Sequence, residues 1–407
     1  MTRPIAGGWR ELRAALANRE WRALFIAALL SQFGDQLARF VIALVIYART
    51  GSAAQSALAF AMSYMPYLIG ASVTGLGDRF PRRDVMIACD LSRVVLAALL
   101  AIHGLSAPAL LALYFLVGLA EPPFEAARAA LAAEILDPEA YTGGHALQMS
   151  SFALVAALGG LFAGVLVGLT GATAALLANA GTFAVSALMI AARVSRRPAP
   201  PFELSRTPIW AGFSVVYSSR TLRSYLFLAA SCAALTVPVD ALAVVISSRN
   251  GHGAVWASVL LAAPMTSTAV SNLLVTRLDP DTRLRLLAPI AYFAVLPLTL
   301  FLFQPGMYAA VLLALCAGFF SGYQILANQG FVLAVANADR SKAFGAASAT
   351  LMAGQGVASA LAGVLAEHVE PERLVGAAAL LGGVCVAYTS RMLRDVSSSG
   401  VPVAARA

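Results

Sequence analysis

Twelve apolar stretches of about twenty residues each, separated by short polar breaks, constrain this chain more than any other feature. A segment of that length and character is a helix that crosses hydrocarbon, because lipid offers backbone amides no hydrogen-bond partner and the helix satisfies them internally. The composition agrees. Sixty per cent of the residues are apolar and only 12 % are charged, about half the charged fraction of a soluble domain. The apolar runs do not alternate with polar residues, which excludes an outer-membrane barrel. The stretches fall at 23–48, 55–77, 84–104, 107–130, 141–169, 172–193, 223–248, 253–276, 284–304, 307–335, 342–368 and 374–393. The first runs past signal-peptide length without a small-residue cleavage pattern, so it is expected to be a retained span. The predicted fold class is an all-α membrane protein of twelve transmembrane helices in two pseudo-symmetric six-helix bundles.

The basic residues give an independent topology. Clusters fall in the N-terminal segment (Arg3, Arg10, Arg13, Arg19, Arg22), after the second stretch (Arg79, Arg82, Arg83, Arg93) and after the sixth (Arg193, Arg196, Arg197, Arg206, Arg220, Arg223). Others follow the eighth and tenth stretches and lie in the tail. The opposite ends keep Arg49, Arg249 and Arg373. Positive residues mark cytoplasmic loops, so both termini are expected in the cytoplasm of a bacterium, with the chain in its inner membrane. The net charge of +8 is then a topology signal that also meets anionic lipid headgroups, and no nucleic-acid partner is called for.

The halves echo each other at an offset near 200. Arg49-Thr50-Gly51 corresponds to Arg249-Asn250-Gly251, Gly118 to Gly318, and Ala163-Gly164-Val165-Leu166 to Ala362-Gly363-Val364-Leu365. Internal duplication is the architecture of secondary transporters. The expected division is a cytoplasmic segment 1–22, a first bundle 23–193, a Pro- and Arg-bearing linker 194–220, a second bundle 221–394 and a tail 395–407. A chain that contains both halves is expected to be a monomer. Cys89, Cys232, Cys316 and Cys385 are dispersed through apolar stretches and read as buried structural thiols; no metal spacing is present.

After the second stretch the chain reads Thr74-Gly75-Leu76-Gly77-Asp78-Arg79-Phe80-Pro81-Arg82-Arg83. This resembles the signature loop of the major facilitator superfamily, matched at Leu76, Asp78, Arg79, Arg82 and Arg83, with Thr74 and Pro81 where glycines are usual. The resemblance implies a cytoplasmic latch of Asp78, Arg79, Arg82 and Arg83, joined by Glu125 and Arg128, in which a carboxylate held by guanidinium groups ties the halves together. Three further segments are similar to the macrolide-, siderophore- and drug-exporting branch: Asn18-Arg19-Glu20-Trp21-Arg22 leading to Gly34-Asp35-Gln36, Pro122-Pro123-Phe124-Glu125-Ala126-Ala127-Arg128, and Arg340-Ser341-Lys342-Ala343-Phe344-Gly345. That likeness implies proton-driven efflux. The fifth stretch, Leu158-Gly159-Gly160-Leu161-Phe162-Ala163-Gly164, lacks the proline of the antiporter pattern.

An ionisable group inside a span faces a cavity or a partner. Asp35 lies mid-span with Arg39 one turn on, its expected charge partner. Asp240, just after Pro238, has no arginine at helical spacing. Glu121 and Glu125 share a face, with Arg128 placed to hold one of them ionised. Asp35, Asp240 and Glu121 are the proton-coupling candidates. Asp90 and Arg93 read as a local pair snorkelling near the cytoplasmic face. Gln32, Gln36, Tyr64, Tyr67, Phe124, Tyr292, Tyr323, Gln324 and Asn328 are candidate lining for a substrate cavity.

The leading reading is a secondary transporter that exports a lipophilic small molecule in exchange for protons. Uptake of a small metabolite, or a non-transporting sensor or assembly protein of the same fold, are the competing readings. No nucleophile–base constellation or phosphate-binding loop is present, so an enzyme is not expected, nor any cofactor or metal.

Overall fold

A computed structural model of the 407-residue chain describes residues 6–68, 80–198, 211–275, 278, 280–335 and 339–398. The described residues form helices and no strand. The helices are α1 (Ala6–Ala17), α2 (Arg19–Thr50), α3 (Ala53–Tyr64), α4 (Arg82–Leu100), α5 (Ala107–Leu119), α6 (Glu121–Ile135), α7 (Pro138–Arg193), α8 (Ala211–Ser218), α9 (Arg220–Thr236), α10 (Pro238–Arg249), α11 (Ala254–Val275) and α12 (Pro280–Val295). A 3₁₀ segment, Leu296–Phe303, and α13 (Met307–Phe319), α14 (Tyr323–Ala334), α15 (Arg340–Leu365) and α16 (Pro371–Ser398) complete the described elements.

Local chemistry sets the ends. The Asn18 side chain accepts from the backbone amides of Glu20 and Trp21, 3.0 Å each, and caps α2. Ser52 and Ser219 accept from Gln55 and Leu222 and cap α3 and α9. Pro122 and Pro238, near the starts of α6 and α10, lack the amide a continuous helix would need, and so interrupt α5–α6 and α9–α10 without ending the span.

Among the described residues nine helical segments are long and apolar enough to cross a membrane. The twelve-span reading accounts for the difference. Ser151–Arg193 is counted once but contains two spans, broken at Gly171, whose φ of 84° is open to glycine without a Cβ clash. α4 has span length but carries Arg83, Asp84, Asp90 and Arg93. The second stretch continues beyond α3 into residues outside those described.

The chain divides into two compact units, 1–45 with 69–204 and 46–68 with 205–407. α3 therefore groups with the second unit, whereas the duplication assigns its sequence to the first half. Small residues explain the grouping: a Cβ on Gly363 of α15 would lie 2.5 Å from the Ala57 Cβ of α3, so the backbones approach closely. Within the expected linker span, residues 211–218 form α8, whose Val216 packs in one core with Ala343 and Ala346 of α15.

In the first unit Ala15, Trp21, Leu24, Met86, Phe124, Leu131 and Ile190 form a core. In the second, Leu228, Cys232, Leu287, Tyr323 and Val386 do so. Many large apolar side chains face outward, including Leu169, Leu188, Phe303 and Val384. Water would penalise such a surface, whereas lipid accepts it. All four cysteines are free; Cys232 is buried as expected, but Cys316 is exposed, on the outward face of α13.

Candidate functional site

The first unit holds a cluster of ionisable groups inside its helices. Asp35 stands midway along the 32-residue α2, and Gly34 beside it lets α7 approach. A Cβ on Gly34 would fall 2.2 Å from the Thr182 hydroxyl and 2.3 Å from the Asn179 amide oxygen. The Asp35 carboxylate, 17 % exposed, lies 3.7 Å from Nη1 of Arg93 on α4. Arg93 is 1 % exposed, and its guanidinium sits over the rings of Phe124 and Phe183, at 5.5 and 5.2 Å from their centroids. Its Nε and Nη2 have no hydrogen-bond partner among the described residues.

Asp90, one turn before Arg93 and fully buried, accepts from the Ser186 hydroxyl at 2.6 Å and from Ser31 at 3.4 Å. Glu121, at the start of α6, is within electrostatic reach of both Asp35 and Arg93. Arg39 also acts on Asp35, and it hydrogen-bonds the Tyr114 hydroxyl.

These contacts revise the sequence expectation at two points. The ion pair of Asp35 is with Arg93 from another helix, whereas Arg39 acts from the next turn. Asp90 and Arg93 are not a snorkelling surface pair: both are buried, because α4 turns them toward α2 and α7 and away from headgroups. Nothing in the sequence alone marks Ser31 or Ser186 as partners of Asp90.

Glu125 and Arg128 pair with one another, the guanidinium donating to the carboxylate at 2.5–3.1 Å. Arg128 is buried and also lies over the Phe152 ring. Glu125 is thus held by Arg128, and Glu121 is left to the cluster around Asp35.

Asp78 and Arg79 lie outside the described residues. Arg82 pairs with Glu134, and Arg83 donates to the Ala191 carbonyl at 2.6 Å. The same end of this unit joins Arg196 to Asp84 at 2.8 Å and Arg197 to Glu20 at 2.6 Å, with the Ser195 amide also donating to Glu20. The sequence carries no signal for Asp84 or Glu134, and Glu20 stands in it only as part of the Asn18–Arg22 motif. Each is an ordinary helix-end carboxylate until the fold brings an arginine to it.

The second unit contains a cavity of about 410 Å³ lined by Tyr225, Gln324, Asn328, Phe331, Phe344 and Met352, among others. Gln324 and Asn328 therefore line a cavity as expected. Tyr323 does not: its side chain is buried in the core of this unit, about 100° around α14 from Gln324. Phe124 is likewise closed off, packed beneath Arg93, and Gln36 is buried where α2 meets Gly159. Gln32, Tyr64 and Tyr67 are partly exposed and Tyr292 faces outward. Asp240, in the first turn of α10, belongs to the second unit and is partly exposed. No cluster of metal-ligating residues occurs among the described residues.

Comparison with known proteins gives this geometry its family. The Major Facilitator Superfamily model matches residues 24–337. No curated protein sequence matches the chain. Among solved structures, a POT family transporter in complex with a thioalcohol-conjugated peptide superimposes with a TM-score of 0.74 at 10 % identity, over 92 % of this chain and 96 % of that one. The nucleoside transporter NupG gives 0.68 at 13 % identity, over 91 % and 99 %. A bacterial homologue of the iron transporter ferroportin, in an inward-facing state, gives 0.67 at 14 % identity, over 91 % and 98 %. The family match spans more than half the chain and the fold is that of solved transporters: this protein belongs to the major facilitator superfamily of multi-pass membrane transporters.

Proposed function

We propose that the chain is a proton-coupled secondary transporter that exports a lipophilic small molecule by alternating access. The observation that carries this reading is the Asp35–Arg93 ion pair, which joins two membrane-spanning helices and has Glu121 and Asp90 within reach. A charged group at such depth costs ~2.5–3.5 kcal/mol on insertion scales, a cost that a purely structural contact between two helices does not require. Protonation of Asp35 would leave Glu121 and Asp90 as the remaining negative charges near Arg93. That exchange alters the attraction among α2, α4 and α6, and a ligand that changes the relative energies of two states shifts their populations. Proton and cargo acting on the same pair of states is the basis of coupled transport. Asp240 is the corresponding candidate in the second unit.

The mostly apolar cavity beside Gln324 and Asn328 suits a lipophilic cargo oriented by a few polar groups. Export as the direction rests on the likeness of the Pro122–Arg128 and Arg340–Gly345 segments to the exporting branch. On this reading the moving bodies are the bundles 23–193 and 221–394, in one monomer with both termini in the cytoplasm of a bacterial cell. The loop from Asp78 to Arg83 is the latch that closes the cytoplasmic side.

The test is reconstitution in liposomes carrying an internal pH dye, with lipophilic cations, macrolides and siderophore-like compounds presented across an imposed proton gradient. Substrate-dependent proton flux is expected, and Asp35→Asn should abolish it while the protein keeps its elution profile and helicity. Flux that survives Asp35→Asn would move the coupling role to Glu121 or Asp240. Cargo movement indifferent to the proton gradient would overturn the coupled mechanism.

A further inference from the structure

A groove of about 670 Å³ lies on the first unit between the start of α2 and the end of α7, lined by Arg19, Arg22, Ala23, Ile26, Leu188, Met189, Ala192 and Arg193. Its three arginines differ from their neighbours. Arg82, Arg196 and Arg197 each hold a carboxylate, whereas Arg19, Arg22 and Arg193 are exposed and take part in no ion pair among the described residues. The acidic side chain closest in sequence, Glu20, is committed to Arg197 and the Ser195 amide. Among the described residues the groove is therefore lined by positive charge without a carboxylate.

Its apolar part is placed with equal regularity. Ile26 stands one helical turn inward from Arg22, and Met189 one turn inward from Arg193, so each helix presents a guanidinium at its end and an apolar side chain behind it. Ile26 is 45 % and Leu188 68 % exposed. A cationic rim over a greasy slot matches a molecule with an anionic head and a hydrocarbon tail.

We propose that this groove is a binding site for an anionic phospholipid, with the headgroup phosphate held by Arg19, Arg22 and Arg193 and an acyl chain lying along Ile26, Leu188 and Met189. Arginine suits the task because its planar fork donates to two phosphate oxygens at once. The lipid would tie the start of α2 to the end of α7. Unlike the diffuse attraction of basic loops for a charged surface, the site selects one bound lipid molecule.

The test uses the full-length protein in nanodiscs of equimolar phosphatidylglycerol and phosphatidylcholine, followed by mild extraction and native mass spectrometry of the lipid that stays bound. Wild type is expected to retain phosphatidylglycerol over phosphatidylcholine by at least about tenfold, since each basic residue near an anionic headgroup contributes severalfold. Arg19→Gln/Arg22→Gln/Arg193→Gln should reduce that preference to near parity, and the triple Arg→Lys variant should keep most of it. Arg373→Gln, in the second unit, should leave it unchanged. Should the triple Gln variant fail to fold, the three single Arg→Gln variants give the same reading, each with a severalfold loss. Equal retention by wild type and the Gln variants would overturn the proposal. So would displacement of the lipid by millimolar inorganic phosphate, which would mark a site for the free anion.

Discussion

The two units spend their polar residues differently. The first buries Asp90, Arg93 and Arg128 among its helices, and Asp35 lies almost as deep. In the second, the buried polar side chains described are mostly hydroxyls, such as Ser224, Ser247, Ser258 and Ser271, which bond to backbone carbonyls or to a neighbouring amide. Glu372 is the exception, and it sits in the first turn of α16 bonded to Asn250. Buried ion pairing is found in the first unit, whereas the second contains a mostly apolar cavity. Hydroxyls close their own hydrogen bonds within one helix and leave packing undisturbed. A buried charge makes its helix depend on another, which is what a switch requires and a passive scaffold does not.

The sharpest way to break this contrast is to remove Arg93. Arg93→Leu leaves Asp35 and Asp90 without their shared counter-charge, and the loss of one partner from a buried pair costs about 3–5 kcal/mol. Thermal unfolding in detergent should show a large fall in Tm, partly recovered in Arg93→Leu/Asp90→Asn. A Tm unchanged by Arg93→Leu would mean that the first unit does not rely on its charges.

A smaller effect is expected at glycines. Gly34→Ala drives a Cβ into Thr182 and Asn179, an overpacking that costs about 1–3 kcal/mol. Gly383→Ala in the second unit meets nothing within 4 Å and should be neutral or stabilising, by up to about 1 kcal/mol from helix propensity. Equal Tm shifts for the two would erase the distinction between a tight and an open helix face.

The smallest effect concerns the rim of the second unit. Glu367, in the turn after α15, accepts from the Ala54 amide at 2.9 Å and the Ser52 hydroxyl at 2.7 Å. The bond from the Ala54 amide, then that from Ser52, lowers its pKa below the ordinary value of 4.5. A carboxylate with a depressed folded pKa contributes stability that is present above its unfolded pKa and disappears as pH falls through the folded value. Glu367→Gln should therefore lower Tm slightly at neutral pH and converge with wild type only as pH falls below 4.5 and through the lowered folded pKa. A Tm difference that persists unchanged in acid would show that the contact works through shape and not charge. Because Glu367 is exposed, solvent screens the pairing and keeps the effect small.

Much of the architecture was legible from residues alone. Apolar length marks a spanning helix wherever it occurs, since the bilayer demands it of every segment independently. The loop with Leu76, Asp78, Arg79, Arg82 and Arg83 carries the family, and Asp35 stands out because a charge in a span is costly at any angle. Less could be read of the site. The choice of Arg93 over Arg39 as ion-pair partner depends on how α2 and α4 face each other, and the burial of Phe124 and Tyr323 depends on which side of each helix meets a neighbour. Gln324 lines a cavity and Tyr323 is core although they are adjacent, a difference of one helical step.

The sequence by itself determined the solvent, the helical class, the span count and the positions of the costly charges, because those follow from the composition of each segment in isolation. The tertiary structure decided the partners: Arg93 for Asp35, Ser186 for Asp90, Glu20 for Arg197, and, among the described residues, no carboxylate for Arg19, Arg22 or Arg193. In lipid no hydrophobic force selects one helix contact over another, so small-residue approaches such as Gly34 against Asn179 set the crossings, and only these crossings place one helix's charge beside another's.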